Sequence, residues 1–154
     1  MLGHAFETPR EVCSLDEVVL IVRRSSGLRF DEGLPGFHLY GTDICLEARR
    51  RGMPCYALSA FCVHNSNGLH RLPAAYSHAV RYLRDKWRPL LPIHTPCMVI
   101  TRWGVPLMRH YVESLFARNR KSGARCPDPA ALYRRLLEQK QVERARTVSA
   151  ECVS

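Results

Sequence analysis

Apolar positions in this chain fall into continuous runs and helical stripes, and each kind predicts an element. Residues 18–22 (Val18, Val19, Leu20, Ile21, Val22) form an unbroken run between Asp16-Glu17 and Arg23-Arg24. Such a run, rich in β-branched residues, predicts a strand buried on both faces. Ser25, Ser26 and Gly27 predict a turn. Residues 28–41 hold three glycines and one proline and predict a loop. Ile44, Cys45 and Ala48 share one side of a helix expected over residues 42–52, with Thr42 as its cap, Asp43 in its first turn and Gly52 at its end. Residues 54–63 predict two short strands or one bent strand, closed by a turn over 64–68. Tyr76, Val80, Leu83 and Trp87 recur at i, i+4, i+7 and i+11, the core stripe of a helix over residues 73–88. Three prolines between 89 and 96 predict a linker or extended crossing, and residues 97–101 a short strand. Met108, Tyr111, Val112, Leu115 and Phe116 predict an amphipathic helix over about 104–121, ended by Gly123. Asp128-Pro129 opens a last helix with Leu132, Tyr133, Leu136 and Leu137 on its apolar side, and the charged tail from Gln139 is expected to fray. Residues 1–14 carry no clear pattern, and Pro9 argues against helix there.

Composition narrows the class. The 154 residues amount to about one domain, and 46% hydrophobic content excludes disorder by composition. No run of 18 apolar residues is present, so no membrane span is expected, and residues 1–15 lack the apolar core of a signal peptide. Seven cysteines are scattered without a Cys-x-x-Cys pair. That disfavours a zinc ribbon or a disulfide framework and points to reduced thiols in a cytoplasmic protein. The net charge of +9 favours anionic partners. It is concentrated late in the chain, where residues 118–146 hold nine basic residues against three acidic ones. Phosphate-loop, dinucleotide, zincin and nucleophile-elbow motifs are all missing from the sequence.

One stretch draws the candidate chemistry together. Leu34, Pro35, Gly36, Phe37, His38, Leu39, Tyr40, Gly41, Thr42 and Asp43 run from a glycine-rich loop into a helix. A carboxylate at a helix N-terminus is kept ionised by the positive end of the dipole and can serve as a general base, although most such residues are simple caps. Phe37 and Tyr40 suit stacking on a sugar face or packing against the helix. His38 titrates near neutrality or is merely solvated. Arg49, Arg50 and Arg51 read as a solvated face, with phosphate contact as the alternative. His64, just past a strand end, stands where ligands collect in α/β folds or serves a structural role, and His70 is a weaker candidate in the same loop.

Over residues 12–88 the order of these motifs resembles the second half of a family 2 glycosyltransferase of the GT-A fold. An Asp before an apolar strand ending in Arg23-Arg24 is followed by Phe30-Asp31-Glu32. The Gly36-Phe37 loop comes next, with His38-Leu39-Tyr40 before Asp43, and a helix ending in glycine follows. Two short strands reach His64, and a later helix ends in Lys86-Trp87.

The resemblance implies an α/β chain, a partial GT-A fold with a short mixed sheet and flanking helices. It divides into an acceptor-side part (1–88) and a helical C-terminal extension (89–154). It implies inverting transfer of a sugar from a nucleotide-diphosphate sugar to a glycan or other hydroxyl acceptor. Asp43 would be the general base, with Asp16 or Asp31 nearby, and Asp16, Phe37, His38, Tyr40 and Trp87 would lie on the acceptor side. A divalent ion, Mn²⁺ or Mg²⁺, would be held in part by His64.

The family's Asp-x-Asp motif for that metal does not occur in this sequence. The chain is therefore expected to begin inside the family's domain, after the nucleotide-binding half, and its first strand to present an unpaired edge. A partner chain or homo-oligomer would cover that edge. Two further readings stand beside this one. The first is a basic nucleic-acid-binding or scaffold protein, which the charge favours but the lack of interleaved aromatics in the basic segment opposes. The second is a catalytically inactive remnant of a transferase.

Overall fold

In the computed structural model, residues 6–60, 62–65, 72–116 and 126–151 are described. The protein is mixed α/β: among these residues are four α-helices and two separate two-stranded antiparallel sheets. The chain divides into two compact units, Met1–Ser59 with His70–Arg120, and Ala60–Leu69 with Lys121–Ser154.

The first unit is built on two helices, α1 (Tyr40–Arg50) and α2 (Ala74–Lys86). The helical period of their apolar residues decides what they bury. Tyr76, Val80, Leu83 and Trp87 all point inward, and Leu34, Leu39, Leu46, Ala79, Ile93 and Ile100 complete the core. Gly52 ends α1 as expected. It adopts φ 71° and donates to the Arg49 carbonyl while Met53 donates to the Ala48 carbonyl, which satisfies two orphan acceptors of the last turn.

The start of α1 differs from expectation. Leu39 occupies the cap position with φ 64°, a costly backbone for a leucine, and its side chain is buried in the core. Thr42 is not a cap: it lies inside the helix, fully buried, and its hydroxyl shares a 2.8 Å hydrogen bond with Ser14. Gly41 is helical rather than part of the loop, and the chain at Leu15 crosses so close that a Cβ there would stand 2.7 Å from the Leu15 carbonyl oxygen. Glycine is required here by approach, not by φ.

The sheets are smaller than expected and arranged otherwise. β1 (Arg10–Val12), in a stretch without a sequence pattern, pairs antiparallel with β2 (Cys55–Ala57), Val12 opposite Cys55. Residues 60, 62 and 63 form no second strand, and Phe61 lies outside the described residues. Residues 18–22 join neither sheet, and Val19 and Ile21 are 67% and 85% exposed. A run buried on both faces needs a layer on each. Here the run borders an open groove that Ile44, Cys45 and Ala48 of α1 also line, and most of its side chains remain exposed. The turn after it is present as a 3-10 segment, Arg24–Ser26, closed by Gly27 with φ 65°.

The segment expected as a linker holds a 3-10 turn, Arg88–Leu90, and β3 (Ile93–His94), which pairs with β4 (Val99–Ile100) inside the expected short strand. β3 was not foreseen because two residues are too few to show a period. α3 (Val105–Phe116) follows. Leu107 packs on the core, but Met108, Tyr111 and Val112, expected as an apolar packing stripe, are exposed. Residues 117–125, including Gly123, lie outside the described residues, as do the turn residues 66–68 and His70.

The second unit contains α4 (Pro129–Glu151). Asp128 caps it as expected, accepting from the Ala131 N–H at 2.8 Å. The helix continues through Glu151 rather than fraying from Gln139. Asn65 exchanges two hydrogen bonds with the Cys126 backbone, at 2.9 and 3.1 Å. None of the described helices is long and apolar enough to cross a membrane.

Replacing Gly41 by Ala is expected to cost about 2 kcal/mol, because the clash outweighs the gain in helix propensity. Replacing Gly52, whose Cβ would meet open space, is expected to cost about 1 kcal/mol through its φ alone. Urea midpoints of the two variants test this; a Gly41→Ala protein as stable as the parent would mean that residues 15–16 do not lie against α1.

Candidate functional site

Asp43 is a buried charge, 3% exposed in the first turn of α1. A carboxylate so placed must be paired and hydrogen-bonded or it would cost several kcal/mol. Both oxygens are satisfied from the end of α2. The Trp87 indole N–H donates to Oδ1 at 2.6 Å, and the Lys86 ammonium lies 2.8 Å from Oδ1 and 2.9 Å from Oδ2. Lys86 also donates to Asp31 Oδ2 at 2.6 Å. Asp31 accepts in addition from the Tyr82 hydroxyl at 2.8 Å and the Gly33 N–H at 2.9 Å. One ammonium thus bridges two carboxylates that come from the loop and from α1.

The electrostatics follow from these contacts. Lys86, then the Gly33 N–H and the Tyr82 hydroxyl, hold the Asp31 carboxyl down at about 2. Burial works against the charge on Lys86, but Asp31 and Asp43 more than offset it and hold its pKa above the usual value. Tyr82 is raised, chiefly by donating to Asp31.

A second feature lies at the same helix start. Phe30, Tyr40 and Phe37 form an aromatic cluster, Phe30 edge-on to Tyr40 at 5.5 Å and Phe37 tilted against it at 5.4 Å. Phe37 is 77% exposed. His38 is half-buried with its ring 5.6 Å from that of Tyr76. Glu17 accepts from the Gly41 N–H at 3.3 Å, and burial raises its pKa although that N–H works against the rise.

Of the residues expected to act together, the fold brings Asp43 and Trp87 into contact and groups Phe37 with Tyr40. Asp16 is exposed, and its carboxylate accepts from the Glu17 N–H. His64 is exposed and belongs to the second unit. Among the described residues no group of three or more His, Cys, Asp or Glu side chains could hold a metal ion. The described residues therefore do not fit a divalent cation.

Sequence reasoning did not foresee the roles of Lys86, Tyr82 and Glu17. Lys86 stood beside Trp87 in the resemblance, but the burial of Asp43, which calls for a cation beside it, is not visible in the sequence.

No family model matches the chain, and no solved structure matches it. A curated protein of Fuscovulum blasticum described as "ATP synthase subunits region ORF 6" is 32% identical over 91 residues, which is 56% of this chain and 35% of that protein. The matched segment thus spans about a third of the relative's length. The relative's name states a gene region and no reaction.

Asp43→Ala should destabilise the protein by about 2–4 kcal/mol, since it leaves the buried indole N–H unpaired, and Asp43→Asn by less, because the amide oxygen still accepts. Chemical denaturation followed by Trp87 fluorescence in a Trp103→Phe background measures both. Asp31 supplies a pH test. Its folded pKa is depressed from 3.8 to about 2, so its contribution is complete above the unfolded value and is lost as pH falls through the folded one. The stability gap between the parent and Asp31→Asn should therefore be constant above about pH 5 and close between about pH 4 and 2.

Proposed function

We propose that this chain is the acceptor-side part of a GT-A glycosyltransferase, one that transfers a sugar from a nucleotide-diphosphate sugar to a hydroxyl acceptor with inversion. The observation that carries the reading is the convergence of two motifs on one carboxylate: the helix-starting Asp43 and the helix-ending Lys86-Trp87, 44 residues apart at Trp87, meet directly. The exposed Phe37 ring, braced by Tyr40, offers an apolar face of the kind that sugar-binding sites use beside a few placed polar groups.

In this reading the acceptor hydroxyl attacks the anomeric carbon of the donor. The new C–O bond forms as the bond to the diphosphate breaks, and the hydroxyl proton passes to Asp43. The Asp43 carboxylate is enclosed, so the acceptor reaches it only when the partly exposed Lys86 ammonium swings aside towards Asp31. Lys86 is then a gate and a positioning residue. The chain's share of the work in this reading is to bind and orient the acceptor.

Calorimetric titration with oligosaccharides and with UDP- and GDP-sugars, with and without Mn²⁺, tests this. Oligosaccharide binding should be metal-independent, weaken about tenfold in Phe37→Ala, and survive in Asp43→Asn. Donor sugars should not bind the isolated chain. The reading fails if no saccharide binds, or if Phe37→Ala binds as well as the parent.

A further inference from the structure

Residues 16–24 read Asp-Glu-Val-Val-Leu-Ile-Val-Arg-Arg, a segment whose charges are reversed about its centre at Leu20. An antiparallel pairing of this segment with itself sets Asp16 opposite Arg24, Glu17 opposite Arg23, Val18 opposite Val22 and Val19 opposite Ile21. Each position thus meets a complementary one, and the twofold axis runs through Leu20. Isologous contact of this kind is what a closed dimer requires.

The surroundings provide for it. Residues 18–22 lie in neither sheet, yet their composition is that of a strand. Val19 and Ile21 project into solvent, while Leu20, Ile21 and Val22 border an open groove of about 940 Å³. Ile44, Cys45 and Ala48 of α1 floor that groove, and Met53, Tyr56 and Leu58 line it as well. The segment's start is fixed by the Ser14–Thr42 hydrogen bond and by the crossing of Leu15 over Gly41. A β-branched run of this kind, open to water above an apolar groove, is a template for an added strand.

We propose that the chain forms a twofold dimer in solution by antiparallel pairing of residues 16–24 with the same residues of a second copy. The two Asp16–Arg24 ion pairs set the register, Glu17 keeping its hydrogen bond to the Gly41 N–H, and the paired runs close over the two grooves. The occupant is a second copy because the charges at the two ends of the segment complement each other and not themselves. This interface does not depend on the glycosyltransferase reading.

Sedimentation equilibrium of the full chain over a range of concentrations tests it, with circular dichroism to verify folding of each variant. The parent should be a dimer whose dissociation constant rises with salt. Asp16→Arg alone and Arg24→Asp alone place like charges opposite each other twice per dimer, and each should weaken association about tenfold or more. The double variant Asp16→Arg with Arg24→Asp restores opposite charges and should return to within about threefold of the parent. Ile21→Lys, at a position already exposed in the monomer, should leave the fold intact and abolish the dimer. A parent that stays monomeric at all concentrations would overturn the proposal, as would a folded dimer in which the double variant is no stronger than the singles. A complex formed only with a different polypeptide would overturn it too.

Discussion

The first unit depends on what becomes of one buried charge. Asp43 stands in the first turn of α1 with almost no contact to water, and it is stable there only because Lys86 and Trp87 bring two donors to it. Both donors sit at the C-terminal end of α2, so their demand fixes how that end meets the start of α1. The Lys86 ammonium then reaches on to Asp31 and so ties the glycine-rich loop to the same point. Core packing by Tyr76, Val80 and Leu83 is not directional and would tolerate some sliding. The charge network would not, because a buried carboxylate loses its compensation if either donor moves away.

The same network frames the functional proposal. A carboxylate held dry and fully hydrogen-bonded makes a stable tie, and a general base only if one donor can leave. Lys86 is the donor placed to do so, being partly exposed and already shared with Asp31. Tie and base differ in whether the pair opens for an acceptor. Phe37 contributes nothing to the buried core and leaves its ring face open beside Tyr40.

On the side of the first unit towards residues 18–22, burial is incomplete. α1 presents Ile44, Cys45 and Ala48 to a groove, and the strand-like run at its rim is exposed. Unlike the Asp43 network, which is satisfied within the chain, this surface has apolar area to gain from a further layer.

The helices were legible in the amino-acid sequence, because a period of 3.6 repeated over three or more turns leaves a mark that local context cannot erase. The α2 stripe is of this kind, while the Gly52 stop and the Asp128 cap were legible from residue type alone. Asp43 was legible as a charge at a helix start and Phe37 as a loop aromatic, whereas Tyr40, read as loop, opens α1. The strands were legible only in part: β2 and β4 fall inside stretches read as strand, but β1 and β3 are two or three residues long, too short for alternation to register. The run at residues 18–22 carried the strongest strand pattern in the chain and forms none here, since a pattern states what a segment would bury and not whether a layer exists to bury it. Gly41 was read as a loop glycine, when the reason for it is the backbone of Leu15 passing 26 residues away in sequence. Composition and spacing thus determined the helices, the inward face of α2 and the chemistry available, but not the face of α3, whose apolar stripe is exposed. Only the tertiary structure decided which charge met which donor, because the bridge from Asp31 through Lys86 to Asp43 joins residues that no local periodicity relates.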